Sequence, residues 1–369
     1  MTDTKNYIFI FCVTLLFVMG LVMVFNTTSA EILDGAIDRD IHHALIRQIL
    51  YAVVGFLCAL GVWFVGYQAL LRLSGFFLLF FSVLLVLALI PGIGSQINGA
   101  RRWINIFGNS FQPSEFVKYI IPLYCIHKMS LLKTPVDLKF FLKMMSIICV
   151  PMGLILIEPD NGTVFIIGVT LVFLCILTRI RCRFWLLPLL SIAIVGGTLA
   201  LKMQHVPDRI RIFMNPESDL LGKGHQPHQA KIAAGSGQLF GKGFGESLQK
   251  MSYLPEARSD YIAAIFAEEF GFLGVSFVIF LYMLIGFLGY LISISCKDLS
   301  SFYLASVFVF LLSFQAFFNL GVVSGLLPSK GTSLPFFSQG GSSLLANFLS
   351  VSVILNIAKE SKVKNERLT

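Results

Sequence analysis

The sequence predicts an all-α, polytopic membrane protein with ten transmembrane helices, both termini in the cytoplasm and one large extracytoplasmic loop between helices 7 and 8. Of its 369 residues, 56% are hydrophobic and 13% are charged, against roughly 45–50% and about 25% in soluble domains. The apolar residues form stretches long enough to cross a bilayer, which takes about 20 residues of helix. This composition excludes a soluble enzyme, a disordered chain and a small disulfide-bonded domain.

Eight of the ten predicted helices lie in stretches without Asp, Glu, Lys or Arg. They cover residues 7–25, 49–67, 73–91, 162–178, 184–201, 270–293, 301–323 and 341–358. The segment 140–157 is also strongly apolar, although Lys143 lies near one end. The segment 113–130 is weaker because it contains Glu115 and Lys118. We expect the first helix to remain as a signal anchor, since a single basic residue precedes its long apolar run and further spans follow.

The distribution of Lys and Arg predicts the orientation, because cytoplasmic loops of membrane proteins are enriched in these residues. With the N-terminus inside, the cytoplasmic segments hold fourteen of them and the short outside loops five. The net charge of +8 therefore reflects topology, and no nucleic-acid partner is expected. We predict a single membrane domain over 1–358, with 202–269 as the large extracytoplasmic loop, followed by a short basic cytoplasmic tail over 359–369.

The seven cysteines and six histidines predict neither a disulfide framework nor a metal site. Every cysteine lies in a predicted helix or in or beside a cytoplasmic loop, where disulfides are rare. No cysteine pair has the spacing of zinc ligands, and the histidines form no metal-binding motif.

The fourth predicted helix carries an unusual charged pair. Glu115 and Lys118 are three residues apart, so they share one helix face. Each ionisable residue inside a span costs roughly 2.5–3.5 kcal/mol on insertion scales, and such residues usually line a functional cavity. The alternative is an ion pair that merely neutralises itself near the interface. We favour the functional interpretation.

The large extracytoplasmic loop contains seven glycines between residues 222 and 245. The run 235–245 superficially resembles a phosphate-binding loop, but it lacks the Gly-Lys-Ser/Thr sequence of a Walker motif. One interpretation is a re-entrant or surface loop that needs positive φ angles. The other, which we favour, is an anion site made of backbone amides and nearby Lys and Arg.

Three acidic residues lie where this loop enters the eighth helix. Asp260 is either a helix-initial residue favoured by the helix dipole or a general base at the membrane surface. Glu268 and Glu269, about two turns further on, are either helix-initial acids or a polar lining.

Other polar motifs are predicted on the same side of the membrane. They are the segment 99–104, the turn 158–162 and the loop 327–343. A channel or transporter is expected to spread polar residues through its spans, whereas here they converge on the extracytoplasmic face.

Five motifs in this order resemble the SEDS family, the FtsW and RodA proteins of bacterial shape, elongation, division and sporulation. They are Gly99-Ala-Arg-Arg-Trp-Ile, Phe111-Gln-Pro-Ser-Glu-Phe-Val-Lys, Pro159-Asp-Asn-Gly, Tyr253-Leu-Pro-Glu and the loop 327–343. The resemblance extends from about residue 8 to 358, and the last loop looks more like the FtsW branch. It implies a ten-helix glycosyltransferase of the bacterial cytoplasmic (inner) membrane, at the division site, with its active site on the extracytoplasmic face. The implied substrate is lipid II, and the implied partners are a class B penicillin-binding protein transpeptidase and other division proteins.

The resemblance also implies roles for individual residues. The family's essential aspartate falls on Asp260, and its conserved carboxylate and lysine fall on Glu115 and Lys118. We take these three as catalytic. The predicted substrate-binding residues are Arg101, Arg102, Asp160, Arg209, Arg211, Gln226, Lys250, Glu256 and Ser338.

The chain departs from the family pattern at several motif positions. Arg258 and Ser259 stand where His and Thr are usual, and Glu158 stands where Gln is usual. His225 and Gln339 each replace a Tyr. These departures leave the proposed acid–base residues intact.

Transfer of a growing glycan from a lipid-linked pyrophosphate to a sugar hydroxyl needs a base for the hydroxyl proton and cations for the anionic leaving group. We predict Asp260 as the base, with no cofactor required and a divalent cation (Mg or Mn) as an optional contributor. The rival hypotheses are a flippase that moves lipid II across the membrane and a non-enzymatic division scaffold.

Overall fold

The computed structural model describes residues 2–33, 42–97, 100–106, 108–132, 134–190, 213–215, 219, 222, 224–251, 254–328 and 331–366. These residues are mostly helical. The helices are α1 (Thr2–Leu33), α2 (His43–Val65), α3 (Tyr67–Leu89), α4 (Ser114–Ser130), α5 (Leu138–Ile157), α6 (Asn161–Leu177), α7 (His225–Ser236), α8 (Ile262–Ile294), α9 (Leu299–Val323) and α10 (Gly341–Glu366). Residues 182–190 are also helical.

Within the part of the chain that the structure describes, seven helices are long and apolar enough to cross a membrane, namely α1, α2, α3, α5, α8, α9 and α10. The apolar helix α6 is shorter. The chain is therefore a polytopic membrane protein, as predicted, and nine of the ten predicted spans coincide with observed helices. The remaining span, 184–201, is helical as far as 190, and its second half lies outside the described residues. The ten-span topology stays a prediction.

Helix boundaries differ from the predicted ones in several places, and α8 begins at Ile262, within the predicted loop 202–269. Helices α2 and α3 are joined through Gly66 alone, at φ 86°, so Arg72 lies within α3 and not in a loop. Helix α7 was not predicted and lies within the large loop. Helix α10 continues to Glu366, so the described part of the basic tail is helical.

A three-stranded antiparallel sheet precedes α4, and the all-α prediction missed it. Its strands are β1 (Gly94–Ile97), β2 (Ala100–Ile106) and β3 (Asn109–Phe111), in the order β1-β2-β3. Ile97 pairs with Ala100, and the two residues between them are Asn-Gly, the commonest sequence of a two-residue hairpin turn. This dipeptide is the feature of the sequence from which the hairpin could have been predicted.

The register of the sheet contains a bulge beside the polar motifs. Ser95 pairs with Trp103 and Gln96 pairs with Arg101, so Arg102 is an extra residue without a partner in β1. Bulges bend a strand and redirect a side chain, and they are common next to active sites.

The helices pack so that a polar seam runs through the interior. Helix α10 packs along α2, α8 along α9, and α4 against α3 and α9. Most of the core is aliphatic and aromatic, but Lys118, Gln315, Asn319 and Asn347 are buried on α4, α9 and α10. This seam leads to the end of the bundle at which the sheet and the loop before α10 lie.

Candidate active site

Asp260 lies immediately before α8, against the loop that precedes α10. A Cβ added to Gly331 would lie 2.6 Å from Asp260 Oδ2, so a larger residue there would require the Asp260 carboxyl group to shift. The side-chain amide of Asn319 donates to the main-chain oxygens of Asp260 (2.8 Å) and Thr332 (2.6 Å). The backbone of Asp260 is thereby held by α9 and the 331–340 loop together.

The environment of Asp260 favours its protonated form. Burial, followed by the charge of Glu256, raises the pKa of Asp260 to about 7, with Glu115 and Asp160 adding to the shift and Arg102 opposing it. The charges that act on Asp260 thus belong to residues that the sequence motifs singled out. A carboxylate whose pKa lies near the working pH has the protonation behaviour expected of a general base.

Glu115 and Lys118 form a buried ion pair. Lys118 Nζ donates to Glu115 Oε2 (2.5 Å) and to Gln315 Oε1 (2.7 Å), and its side chain is 2% exposed, against 14% for Glu115. Gln315 in turn donates from Nε2 to the main-chain oxygen of Ser333 (2.8 Å). The pair is more than self-neutralising, because it connects α4 and α9 to the loop that contacts Asp260.

Asp160 anchors the sheet side of the site. It is the N-cap of α6 and accepts from Thr163 N (3.2 Å) and Oγ1 (2.8 Å). It also accepts from Gln112 Nε2 (3.2 Å) and Ser114 Oγ (3.3 Å) at the start of α4. Arg102 Nη1 lies 3.8 Å from Asp160 Oδ1. Because both oxygens of the Asp160 carboxylate already accept hydrogen bonds from the protein, its role in the site is structural.

Arg102 is a cation of the site whose guanidinium still has an N–H group free to donate a hydrogen bond. It is the bulge residue of β2, and its guanidinium lies 5.2 Å from the centroid of the Trp103 ring. Its ion pair with Asp160 is long, and its buried Nε has no acceptor within the described chain. Arg presents several donors in a fixed plane, which suits a phosphate ligand.

Glu158 is a buried acid that the sequence reasoning noted only as a departure from the family pattern. It is fully buried, and neither carboxylate oxygen has a hydrogen-bond partner among the described residues. Burial, followed by the charge of Asp160, raises its pKa to about 8, while Arg102 opposes the shift. At neutral pH Glu158 is therefore mostly protonated.

Replacing Glu158 by Gln, which mimics the protonated acid, should leave activity at pH 7 nearly unchanged. Above pH 8 the wild-type carboxylate ionises and attracts Arg102, so wild-type activity should fall there and the variant's should not. The unfolded pKa of Glu is about 4.3, so between about pH 4.3 and pH 8 the folded protein keeps a proton that the unfolded chain has released. Stability therefore falls as the pH rises through this range and levels off above about pH 8. The variant should therefore unfold at a higher temperature than wild type at pH 9 and at a similar temperature at pH 5. Equal pH profiles for the two proteins would contradict this assignment.

Four predicted substrate-binding residues are not in the described cluster. Arg209 and Arg211 lie outside the described residues. Lys250 donates from Nζ to Glu269 Oε1 (2.9 Å), Asn26 Oδ1 (2.8 Å) and Gly245 O (2.7 Å), so its three protons have protein acceptors. The Ser338 hydroxyl accepts from Leu334 N (2.8 Å) in a buried turn. We omit Lys250 and Ser338 from the proposed substrate contacts for this reason.

The other predicted contacts are less enclosed. Glu256 is exposed at φ 56° and accepts from Ser259 Oγ (2.7 Å). Gln226 is half-buried in α7, and Arg101 is half-buried in β2. Their roles stay predictions.

The glycine-rich segment 235–245 packs closely against α8. It is not the anion site that we favoured. The amides of Lys242 and Gly243 donate to the carbonyls of Glu268 (3.0 Å) and Glu269 (3.1 Å) in α8. A Cβ on Gly241 would lie 2.1 Å from the carbonyl oxygen of Glu269. These amides are therefore already bonded to α8, and glycine is needed for close packing.

The side chains of Glu268 and Glu269 also hold the glycine-rich segment against α8. Glu268 accepts from Lys242 Nζ (2.5 Å) and Ser247 Oγ (2.5 Å). Glu269 accepts from Lys250 Nζ and from Asn26 Nδ2 (2.6 Å) in α1. Neither carboxylate lines the site around Asp260.

Sequence reasoning missed the two amides that organise the site. Gln315 and Asn319 lie one turn apart on α9, a helix without charged residues. Because both side chains are uncharged, they do not stand out within an apolar span as a charged residue does. Within the described chain, no group of three His, Cys, Asp or Glu is placed to hold a metal ion, so we derive no step through a cation.

Comparisons with known proteins show the family of the chain. A family described as "Cell cycle protein" (FTSW_RODA_SPOVE) matches residues 6–363. The "Probable peptidoglycan glycosyltransferase FtsW" of Coxiella burnetii is 37% identical over 362 residues, 96% of each chain. "Stage V sporulation protein E" of Bacillus subtilis is 34% identical, over 94% of this chain and 95% of its own.

Solved structures share the fold. A chain described under "Structural coordination of polymerization and crosslinking by a peptidoglycan synthase complex" has a TM-score of 0.77 and 26% identity, over 96% of this chain and 97% of its own. The rod shape determining protein RodA of Thermus thermophilus has a TM-score of 0.69 and 24% identity, over 95% of this chain and 96% of its own, which supports the fold alone.

Proposed function

Because this chain belongs to the FtsW/RodA/SpoVE family and is a peptidoglycan glycosyltransferase of the FtsW type, we propose that the polar cluster around Asp260 is its active site. The observation that carries this proposal is the environment of Asp260, in which burial raises its pKa to about 7 and the charge of Arg102 opposes that shift. The buried Nε of Arg102 has no acceptor among the described residues. The proposed substrates are lipid II, which provides the acceptor hydroxyl, and a glycan chain attached to a lipid-linked pyrophosphate.

In the proposed reaction, the acceptor hydroxyl oxygen attacks the anomeric carbon of the growing chain. The bond between that carbon and the pyrophosphate oxygen breaks, and the hydroxyl proton passes to Asp260. The pyrophosphate leaves as an anion, so it needs a cation and not a proton. One carboxylate therefore suffices, in contrast to the two carboxylates of glycoside hydrolases.

Arg102 is the proposed contact for the pyrophosphate, and Glu115 and Lys118 position the site. Because Lys118 donates to Glu115 and Gln315, it acts through the 331–340 loop and not as a direct ligand. A divalent cation shared with the pyrophosphate stays a prediction that chelation of the purified enzyme can test.

Replacing Arg102 by Lys is expected to raise the KM for lipid II about tenfold and to lower kcat less, since a single ammonium loses the planar set of donors. Steady-state polymerisation kinetics would measure this. Arg181→Lys, an exposed residue between α6 and the helical residues 182–190, is the matched control. A KM like that of wild type in Arg102→Lys would remove Arg102 from the proposed site.

An apolar cavity supports a lipid-linked substrate. It has a volume of about 510 Å³ and lies between α2, α3, α4, α9 and α10. Phe116 and Tyr119 line it, and they belong to the helix that carries Glu115 and Lys118. We propose that part of the polyprenyl chain occupies this cavity while the pyrophosphate reaches the polar cluster.

The topology and the cellular setting complete the proposal. We propose ten spans with both termini in the cytoplasm, an orientation in which Asp260 lies on the extracytoplasmic face of the bacterial inner membrane. Activity is proposed at the division site, in assembly with a class B penicillin-binding protein transpeptidase and other division proteins. Accessibility of cysteines introduced at Glu256 and Lys359 to a membrane-impermeant reagent would test the orientation.

The decisive experiment supplies purified protein in detergent with freely accessible lipid II, with and without the transpeptidase. Formation of glycan strands supports the proposal, because a flippase has no membrane to cross in detergent. No polymer under either condition, together with lipid II translocation in proteoliposomes, would favour the flippase. Neither activity would favour a scaffold.

A further inference from the structure

The ends of α3, α4 and α5 that lie opposite the active site carry basic residues that the proposed reaction does not use. These three helices pack against one another. Helix α4 begins beside Asp160 and runs away from it, whereas α3 and α5 run in the opposite direction. The start of α3, the end of α4 and the start of α5 therefore meet. We call the four cations at this end the basic patch; they are Arg72 of α3, Lys128 of α4, and Lys139 and Lys143 of α5.

The ring of Tyr124 shows how α3 and α4 meet at this end. A Cβ on Gly75 would lie 3.9 Å from a ring carbon of Tyr124, and Lys128 Nζ lies 5.5 Å from the centroid of the same ring. Arg72 is about one turn before Gly75, and Lys128 is about one turn after Tyr124, so in antiparallel helices the two cations lie at the same level. Both are close enough to His127 for their charges to act on it.

The positive charge of the basic patch is not balanced within the protein. Three of its four cations are exposed, and Lys128 is half-buried. Among the described residues, none of the four forms an ion pair. The acid nearest to Lys139 in sequence is Asp137, which is exposed and caps α5 by accepting from a backbone amide of that helix. An anion from outside the protein would complement this excess of charge.

The lengths of the helices place the basic patch at the level of the lipid headgroups. From Arg72 to Leu89 helix α3 rises roughly 25 Å, and from Lys139 to Ile157 helix α5 rises roughly 27 Å. These lengths approach the thickness of the hydrocarbon, about 30 Å. Exposed apolar side chains continue from the patch along both helices, namely Leu73, Phe76 and Leu79 of α3 and Leu142, Ile147 and Val150 of α5.

We infer that the basic patch binds the headgroup of an anionic phospholipid, such as phosphatidylglycerol, on the side of the membrane opposite Asp260. Basic pockets between transmembrane helices bind anionic headgroups in this way. Lys and Arg can keep their stems along apolar surface while their charges reach the headgroups. A free phosphate would use the cations alone, whereas a lipid also uses the exposed apolar side chains beside them. The inference does not depend on the proposed reaction.

Quenching of a single tryptophan measures this binding directly. In a background with Trp63, Trp103 and Trp185 replaced by Phe, Leu142→Trp places the reporter about one turn from Lys139. The protein is reconstituted into phosphatidylcholine bilayers that contain brominated phosphatidylglycerol or, at the same mole fraction, brominated phosphatidylcholine. We expect phosphatidylglycerol to bind at the reporter at least about threefold more tightly. This preference should disappear in 1 M salt, where the Debye length is about 3 Å.

A second reporter and two sets of substitutions serve as controls. Leu156→Trp, at the other end of α5, should be quenched equally by the two lipids. Lys139→Gln combined with Lys143→Gln should lower the preference at Leu142→Trp to less than about 1.5-fold, since each cation near a headgroup contributes to binding. Lys5→Gln should leave it unchanged, because Lys5 lies at the same membrane side on α1, which packs mainly against α8 and α2. An unfolding temperature like that of the parent protein shows that each variant is folded.

Three results would overturn the inference. The first is equal quenching of Leu142→Trp by the two lipids. The second is an equal loss of the preference in Lys5→Gln and in the double variant, because the net charge of this end and not the patch would then attract the lipid. The third is displacement of phosphatidylglycerol by millimolar inorganic phosphate at constant ionic strength, which would make the patch a site for a free anion.

Discussion

Replacing Asp260 by Asn should abolish most glycan polymerisation and leave the fold unchanged. The amide keeps the shape of the carboxyl group and cannot accept the hydroxyl proton, and loss of a general base typically lowers kcat about 10²–10⁴-fold. The hydrogen bond from Asn319 to its backbone oxygen does not depend on the charge, and the amide has the size of the carboxyl group that lies against Gly331. Measuring kcat and the unfolding temperature on the same purified preparation separates catalysis from folding.

The matched control for this variant is Asp137→Asn, at the N-cap of α5. Asn caps a helix about as well as Asp, so this protein should keep its activity and its unfolding temperature. The wild-type rate should rise as pH increases through about 7, because the base then loses its proton. An Asp260→Asn variant that polymerises lipid II at the normal rate would refute the base assignment.

Replacing Lys118 by Met should have the largest effect on stability. Lys118 is the buried cation between Glu115 and Gln315, and removing one partner of a buried ion pair typically costs about 3–5 kcal/mol. Activity should also fall, because Gln315 then loses a contact that holds it against the 331–340 loop. Thermal unfolding in detergent and the polymerisation rate at a temperature where the variant is folded would measure the two effects.

The double variant Glu115→Gln with Lys118→Met tests the cause. Both charges are then absent, so most of the lost stability should return, whereas activity should stay low because the link through Gln315 is still missing. Independent, additive losses would show that the two side chains do not act as a pair. A Lys118→Met protein as stable as wild type would reduce the ion pair to a minor contact.

Most of the helical framework could be predicted because its signal is local. The length of an apolar stretch and its lack of charge can be read from that stretch alone. The predicted helices 140–157 and 301–323 are therefore close to the observed α5 and α9. The small sheet was missed because its strands are three to seven residues long. Such short strands are stable only when they pair with one another, and this pairing cannot be read from any one stretch of the sequence.

The site shows the same division between local and long-range information. Asp260, Glu115 and Lys118 stand out in the sequence because charges near or within apolar helices are costly. Gln315 and Asn319 are uncharged, and their importance arises only from the loop that they bind. Glu158 became a strongly shifted acid only because folding buries it beside Asp160 without a hydrogen-bond partner.

Charge and apolar length along the chain were thus enough to establish a polytopic membrane protein, and its motifs were enough to indicate the family. Which polar groups meet was decided by the folded chain, because contacts such as those of Lys118 with Gln315 and of Asn319 with Asp260 join residues far apart in sequence. The glycine-rich segment shows why: its composition allowed an anion site or a close-packed loop. Only the carbonyls of α8, which accept the amides of Lys242 and Gly243, selected the second.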